Sequence, residues 1–278
     1  MSLSRIEDAL LNHWPEYLME AAGLGLFMMA AGLFTTLLEH PHSPVHQAIA
    51  DPVTRRALLG LVMGLTATGF IYSPWGQQSG AHLNPAMTMT FMALGKVAFW
   101  DAVFYAAAQF FGGALAILLV AALLGAVFAE PPVHYAATIP GSSGVTVAFL
   151  AEVVISFAFM AMILVTTNTR KLNRYTGLFA GILLAVYFIV EKPLSGMSLN
   201  PARSFASALP KGLWTHLWIY FTAPPLGMLM AAIIYRIFKN EGDVKCAKLN
   251  HHTSRRCIFN CGYRAESARD DVRPRSGQ

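Results

Sequence analysis

The 278-residue chain is 55% hydrophobic and only 13% charged, with a mean hydropathy of +0.48. A soluble chain carries about 25% charged residues, so this composition excludes an ordinary soluble domain and describes a protein that lives in a bilayer. The formal net charge of +5 is concentrated at the C-terminus, which excludes a basic nucleic-acid-binding face.

Residues 1–16 place Glu7, Asp8, Asn12 and His13 where a signal peptide would have its apolar core, so a cytoplasmic N-terminal segment and no signal peptide are expected. An apolar run over 17–38, interrupted only by Glu20, is long enough to cross a hydrocarbon core of about 30 Å. A polar loop leads to a second apolar stretch at 57–72. The octapeptide Ser79-Gly80-Ala81-His82-Leu83-Asn84-Pro85-Ala86 follows. Its helix, from Pro85 to about Leu94, is too short to cross and reads as re-entrant. Residues 102–128 form a third span, and 129–144 an extracellular connection with no Lys or Arg.

The second half replays the first. A span at 145–167 carries Glu152 near its start, as the first carries Glu20. A basic loop (Arg170, Lys171, Arg174) precedes a span at 176–190. The octapeptide Ser195-Gly196-Met197-Ser198-Leu199-Asn200-Pro201-Ala202 then opens a short helix to about Leu209, and 214–238 is the last span. Residues 17–128 and 145–238 are thus two repeats. Residues 239–278 read as a basic, disordered tail whose cations touch anionic lipid headgroups. That tail holds Cys246, Cys257 and Cys261, with His251 and His252. Their spacing fits no tight zinc pattern, so neither a metal site nor a disulfide framework is expected.

The octapeptides agree at six of eight positions. Asn is a strong N-cap, because its side-chain oxygen takes an orphan backbone N–H, and Pro suits the first helical position. Each stretch is therefore an extended loop that turns abruptly into a helix. Three spans per repeat force opposite orientations, giving an inverted repeat with broken helices at the midplane. Fifteen Lys and Arg fall on one side and five on the other, which puts both termini in the cytoplasm.

Non-helical backbone at membrane depth is tolerated where it lines a cavity or is packed in protein. The loops are therefore expected to line a pore, with carbonyls of Gly80, Ala81, His82, Gly196, Met197 and Ser198 as a ladder of acceptors. Asn84 and Asn200 would meet at the centre, where both helix N-termini carry partial positive charge. A file of such groups orients neutral molecules and repels cations.

With these residues in view, the chain resembles the aquaporin family (major intrinsic proteins) over about residues 15–240. The resemblance rests on Asn84-Pro85-Ala86, Asn200-Pro201-Ala202-Arg203-Ser204, Glu20, Glu152 and the Ala108-Gln109 pair. It implies an all-α membrane protein with six transmembrane helices and two re-entrant half-helices. The implied activity is passive single-file conduction of water, with no enzyme chemistry and no cofactor. The implied setting is a homotetramer in the cell membrane. Within the family, an Arg at the place of Arg203 marks the narrowest constriction, and carboxylates like Glu20 and Glu152 hold the loops.

The remaining constriction positions map to Met63 (or Gly64 in a register shifted by one residue), Phe188 and Met197. Phe188 stands where water channels usually carry His. This apolar ring raises a second reading, a facilitator of glycerol, urea or metalloid hydroxides. Ser204, Ala208 and the Tyr220-Phe221 pair point back toward water. A proton-coupled transporter using Glu20 and Glu152, and a non-conducting junction protein, are rival classes. His82 is either a gate or pH sensor at the cytoplasmic mouth or a packing residue.

Overall fold

A computed structural model describes residues 3–239, 244–251 and 253–263. Among them there is no strand. The helices in chain order are α1 (Leu3–Glu39), α2 (Pro44–Ala48), α3 (Pro52–Tyr72), α4 (Pro74–Ser79), α5 (Pro85–Ala93) and α6 (Phe99–Leu124). Then come α7 (Ala126–Ala129), α8 (Val145–Thr167), α9 (Thr176–Val190), α10 (Lys192–Ser195), α11 (Pro201–Ala208) and α12 (Leu217–Phe238). Five of the long helices (α1, α6, α8, α9 and α12) are long and apolar enough to cross a membrane. The sixth, α3, has 21 residues and carries Arg55 and Arg56 near its start. With the half-helices α5 and α11, this is the architecture expected above.

The helix starts follow from local chemistry. Proline occupies the first turn of α3, α4, α5 and α11, where a missing N–H costs nothing. Asp51, Ser73, Asn84 and Asn200 cap those turns with side-chain oxygens.

Packing repeats between the halves. Helix α1 lies along α6, α8 lies along α12, and α3 packs on α9 across the pseudo-two-fold. Small residues let the backbones touch, as membrane helix pairs require. A Cβ on Gly112 would overlap the Ala21 carbonyl, and one on Gly227 would overlap the Val153 carbonyl. Ala21 and Val153 directly follow Glu20 and Glu152, so a close helix contact and the buried carboxylate are adjacent in both halves. The outer surface is apolar, with Leu61, Leu65, Leu123, Val154 and Ile233 exposed, as lipid contact demands.

Two features differ from the sequence reading. Helix α1 runs unbroken through Pro15 for 37 residues, about 55 Å at the α-helical rise, so it projects well beyond a bilayer. Its extension is fixed by Asp101, which accepts from Tyr17 Oη at 2.6 Å and lies 2.7 Å from His13 Nδ1. The second difference is the tail. Residues 244–251 and 253–263 are not a disordered strand of charge but fold back over the end of the bundle that carries the start of α1. Val244, Cys246, Ala247, Leu249, Cys257 and Phe259 are all buried. These apolar residues are interspersed with Lys, Arg, Ser and Asn, and average composition hides them.

Replacing Gly112 or Gly227 by Leu should lower stability by about 3 kcal/mol or abolish folding, because the added side chain has no space at either crossing. Gly69, with open space around its Cβ position, should accept Ala without loss. Thermal unfolding in detergent checks the contrast.

Candidate functional site

Both octapeptides adopt the same strained path. Gly80, Ala81 and Leu83 have φ of 98, 57 and 49°, and Gly196, Met197 and Leu199 have φ of 82, 56 and 60°. Left-handed φ at a residue bearing a Cβ costs on the order of 1–2 kcal/mol, so something must hold these loops. Glu20 accepts from Ser79 Oγ at 2.8 Å, His82 N at 3.1 Å, Leu83 N at 2.6 Å and Gln109 Nε2 at 2.8 Å. Glu152 accepts from Ser195 Oγ at 2.6 Å, Ser198 N at 2.7 Å and Leu199 N at 2.8 Å. Both carboxylates are fully buried. The turn before each loop is pinned as well: Tyr105 Oη donates to the Ser79 carbonyl at 2.7 Å and Tyr220 Oη to the Ser195 carbonyl at 2.5 Å.

The loops are stitched to one another. Asn84 Nδ2 donates to the Leu199 carbonyl at 2.7 Å, and Asn200 Nδ2 donates to the Leu83 carbonyl at 2.6 Å. Each Asn oxygen meanwhile caps its own half-helix, at Ala86 N (2.9 Å) and at Ala202 N (3.0 Å). An amide group has two N–H donors. One of each pair goes to the opposite loop, and the other is left for the cavity that both asparagines line.

That central cavity, of about 70 Å³, is walled on the loop side by Ala81 to Asn84 and Met197 to Asn200. Leu24, Phe27, Ile71, Phe159 and Leu184 make the apolar wall opposite. A vestibule of about 300 Å³ opens on the face away from the tail, between Glu39, Arg56, Val133, Phe188 and Lys192. Arg203 lines both spaces, and its Nη1 has no protein partner among the described residues. On α9, Ala180 and Leu184 line the cavity and Phe188, one turn on, lines the vestibule. On α3, Leu59 lines the vestibule and Ala67 and Ile71 the cavity, with fully buried Met63 midway on that stripe. Met197 completes the cavity side. Of the four expected constriction residues, Arg203 lines both spaces, Phe188 only the vestibule and Met197 only the cavity, while Met63 is buried on α3 and lines neither. Gly64 is instead at the α3–α9 crossing, where a Cβ would overlap the Gly181 carbonyl.

One rung of the expected carbonyl ladder is taken, since the Gly80 carbonyl accepts from Leu249 N at 3.2 Å. Of the two readings of His82, the structure matches the packing one, with the side chain buried. Its ring stacks between Phe91 (5.2 Å) and Phe259 (5.4 Å), with Nε2 2.9 Å from the Ala247 carbonyl and Nδ1 3.0 Å from Thr88 Oγ1. A carbonyl can only accept, so Nε2 carries the proton.

Sequence reasoning assigned no role to Ser79, Ser195 or Tyr105. The serines are identical in the octapeptides, so the signal was present, whereas the tyrosine is recognisable only from its contact. The sequence reading also set the tail thiols aside. Cys246, His251, Cys257 and Cys261 in fact gather so that all four ligand atoms lie within 4.8 Å of one another.

Comparison with known proteins fits this geometry. A family model described as Major intrinsic protein matches residues 10–235. The chain belongs to that family. Among members, it is 34% identical over 180 residues to Aquaporin NIP1-3 of Oryza sativa subsp. japonica, covering 64% of this chain and 61% of that protein. It is 35% identical over 191 residues to Glycerol uptake facilitator protein-like 6 of Lactiplantibacillus plantarum, covering 66% of this chain and 85% of the relative. The matches span about three fifths of the length of the curated plant relatives. The X-ray structure of the aquaglyceroporin from Plasmodium falciparum superposes with a TM-score of 0.67 at 22% identity, covering 80% of this chain and 94% of that one. At that identity the family's fold is what the two share.

Glu152→Gln should cost about 2–3 kcal/mol, since an amide cannot accept on both sides and leaves a loop N–H facing a donor. The exposed Glu130→Gln should be neutral. Equal melting temperatures for the two variants in detergent would remove the carboxylate from its holding role.

Proposed function

We propose that this chain is a passive membrane channel that conducts water in single file and excludes ions and protons. The observation that carries this reading is the pair of cross-stitched asparagines at the wall of a narrow, largely apolar cavity. The spare N–H of each points a solute oxygen toward the centre. The two half-helix N-termini add positive potential there, so cations are repelled and the file of hydrogen bonds needed for proton relay is broken. At the vestibule junction the Arg203 guanidinium offers an unpaired N–H to the solute and a fixed positive charge against cations.

A second reading, a facilitator of small neutral solutes such as glycerol, is favoured by one feature. Phe188, Met63 and Met197 give the junction an apolar flank opposite Arg203, which suits a carbon backbone on one side and hydroxyls on the other. The relative named as a glycerol uptake facilitator is consistent with it. The proton-coupled transporter is disfavoured, because Glu20 and Glu152 accept hydrogen bonds from the octapeptides and, at Glu20, from Gln109 of α6. These groups are structural acceptors and not free proton carriers.

The excess of Lys and Arg on the tail side supports placement in the cell membrane with both termini cytoplasmic. A homotetramer, the family's usual assembly, is supported by an apolar crevice between α1 and α6 that exposes Trp75, Phe111 and Leu119. Native mass spectrometry from detergent should give a fourfold mass; a monomer would oppose it.

Stopped-flow light scattering on proteoliposomes tests the solute. Fast osmotic shrinkage with a low activation energy supports water conduction, and re-swelling in glycerol but not sorbitol supports the facilitator. Arg203→Ala should admit protons or cations under an imposed gradient, and an unchanged selectivity would displace Arg203 from the constriction. Phe188→Ala should raise glycerol flux roughly tenfold if this ring limits size.

A further inference from the structure

The tail that covers one mouth of the cavity is built around three thiols and one imidazole. Cys246 Sγ and Cys257 Sγ are 3.6 Å apart, and Cys261 Sγ is 3.0 Å from His251 Nε2. These separations are far beyond the roughly 2.05 Å of a disulfide. With Zn–S near 2.3 Å and Zn–N near 2.0 Å, a tetrahedral site has S···S edges of about 3.7 Å and S···N edges of about 3.5 Å. The thiol pair meets the first, and the Cys261–His251 pair would open by about 0.5 Å to meet the second. Three Cys and one His complete such a tetrahedron without leaving an open position, which is the donor set of a structural zinc site. Soft thiolates also disfavour magnesium and calcium. Lys248 closes the surrounding loop, with Nζ donating to the Arg255 carbonyl at 3.3 Å and the Arg256 carbonyl at 2.5 Å.

What this loop covers is specific. Its ligand-bearing segment is almost devoid of helix, so no ladder of regular hydrogen bonds holds it together. It nevertheless reaches into the channel: Leu249 lines the central cavity beside Asn84. Leu249 N occupies the Gly80 carbonyl, the first rung of the acceptor file, and the Ala247 carbonyl takes the His82 Nε2–H. Phe259 closes over the His82 ring, and a Cβ on Gly80 would collide with Phe259. The peptide thus places Leu249 in the cavity wall and takes up hydrogen-bonding groups of Gly80 and His82. Around the rim it is tied to the rest of the bundle by Asn260 Nδ2 on the Gly95 carbonyl (2.8 Å), Lys245 N on Asn168 Oδ1 (2.8 Å) and Arg256 Nη2 on the Asn12 carbonyl (2.6 Å).

The geometry points to a zinc site formed by Cys246, His251, Cys257 and Cys261 that folds residues 244–251 and 253–263 into a plug, so that metal occupancy holds this mouth of the pore shut. Binding free energy of a structural metal is folding free energy for the segment that carries it. Loss of zinc therefore releases the plug, frees the Gly80 carbonyl and opens the cavity. The ligand cluster stands on its own geometry, and the gating consequence rests on the channel reading.

The test uses the full-length protein purified from zinc-replete cells and reconstituted in liposomes. Elemental analysis should find one zinc per chain, lost in Cys257→Ser/Cys261→Ser. Cobalt exchanged into the site should give the visible bands of a tetrahedral thiolate complex. Stripping with a membrane-permeant chelator should raise water or glycerol permeability roughly tenfold, and adding zinc back should reverse it. Leu249→Ala should leak with zinc still bound. Trypsin cleavage at Lys248 and Arg255 should accelerate in the stripped protein, a readout that does not depend on conduction.

Absence of metal, with Cys246 and Cys257 instead forming a disulfide on oxidation, would overturn the site. Bound zinc whose removal changes neither permeability nor proteolysis would overturn the plug. If zinc removal exposes the tail to trypsin but loaded, stripped and Leu249→Ala proteins all fail to conduct, the metal-held plug stands. Both the gating consequence and the channel reading then fall.

Discussion

A peptide N–H that cannot find a partner in hydrocarbon costs several kcal/mol, and this fold places two irregular loops where no water is at hand. The carboxylates of Glu20 and Glu152 resolve that problem. Each gathers the N–H groups of two consecutive loop residues and a serine hydroxyl. Much else is arranged to make those carboxylates possible. The glycine crossings beside Ala21 and Val153 bring α6 and α12 close enough for Tyr105 and Tyr220 to reach the same turns. With the loops fixed, their carbonyls and the two asparagines acquire defined directions along the cavity that they line.

The two halves share this scaffold but are not equivalent where solute would meet protein. The second half adds Arg203 to its half-helix, with Met197 beside it, and so builds the junction with the vestibule. The first half has His82 in place of Ser198, and its ring is the platform on which the tail rests. Gln109 reinforces Glu20 alone, and Ser198 Oγ instead meets Ser204 Oγ at 2.6 Å. The symmetric framework holds the two loops, and the halves differ at Arg203, His82 and Gln109.

What the sequence made legible follows the range of the forces involved. Helices α8 and α9 were readable to the residue, because apolar runs and their polar borders are local. The half-helices were readable because Asn-Pro-Ala is both cap and first turn. Glu20 and Glu152 stood out because a charge within an apolar run is costly. The reciprocal Asn–Leu bonds were not legible, since they join residues far apart in the chain through a carbonyl that every residue possesses. The tail was misread for a related reason. Three thiols and an imidazole spread over 16 residues, in a loop with no periodicity, resemble disordered composition until the chain folds them together. Met63, matched on the second span with Gly64 as the alternative, lies one turn from vestibule-lining Leu59 and one from cavity-lining Ala67, as the helical period requires.

The reciprocal stitching also bears on biogenesis. The Leu83 carbonyl is completed by an asparagine synthesised 116 residues after Asn84. At a translation rate of about 5–20 residues per second, that interval lasts roughly 6–23 s. During it the first re-entrant segment stands in the translocon or the nascent bilayer with Glu20 already in reach but its counterpart loop unmade. The carboxylate must therefore keep the early segment buried by itself, and the paired asparagines can act only as a late latch that closes when the second repeat arrives inverted beside the first.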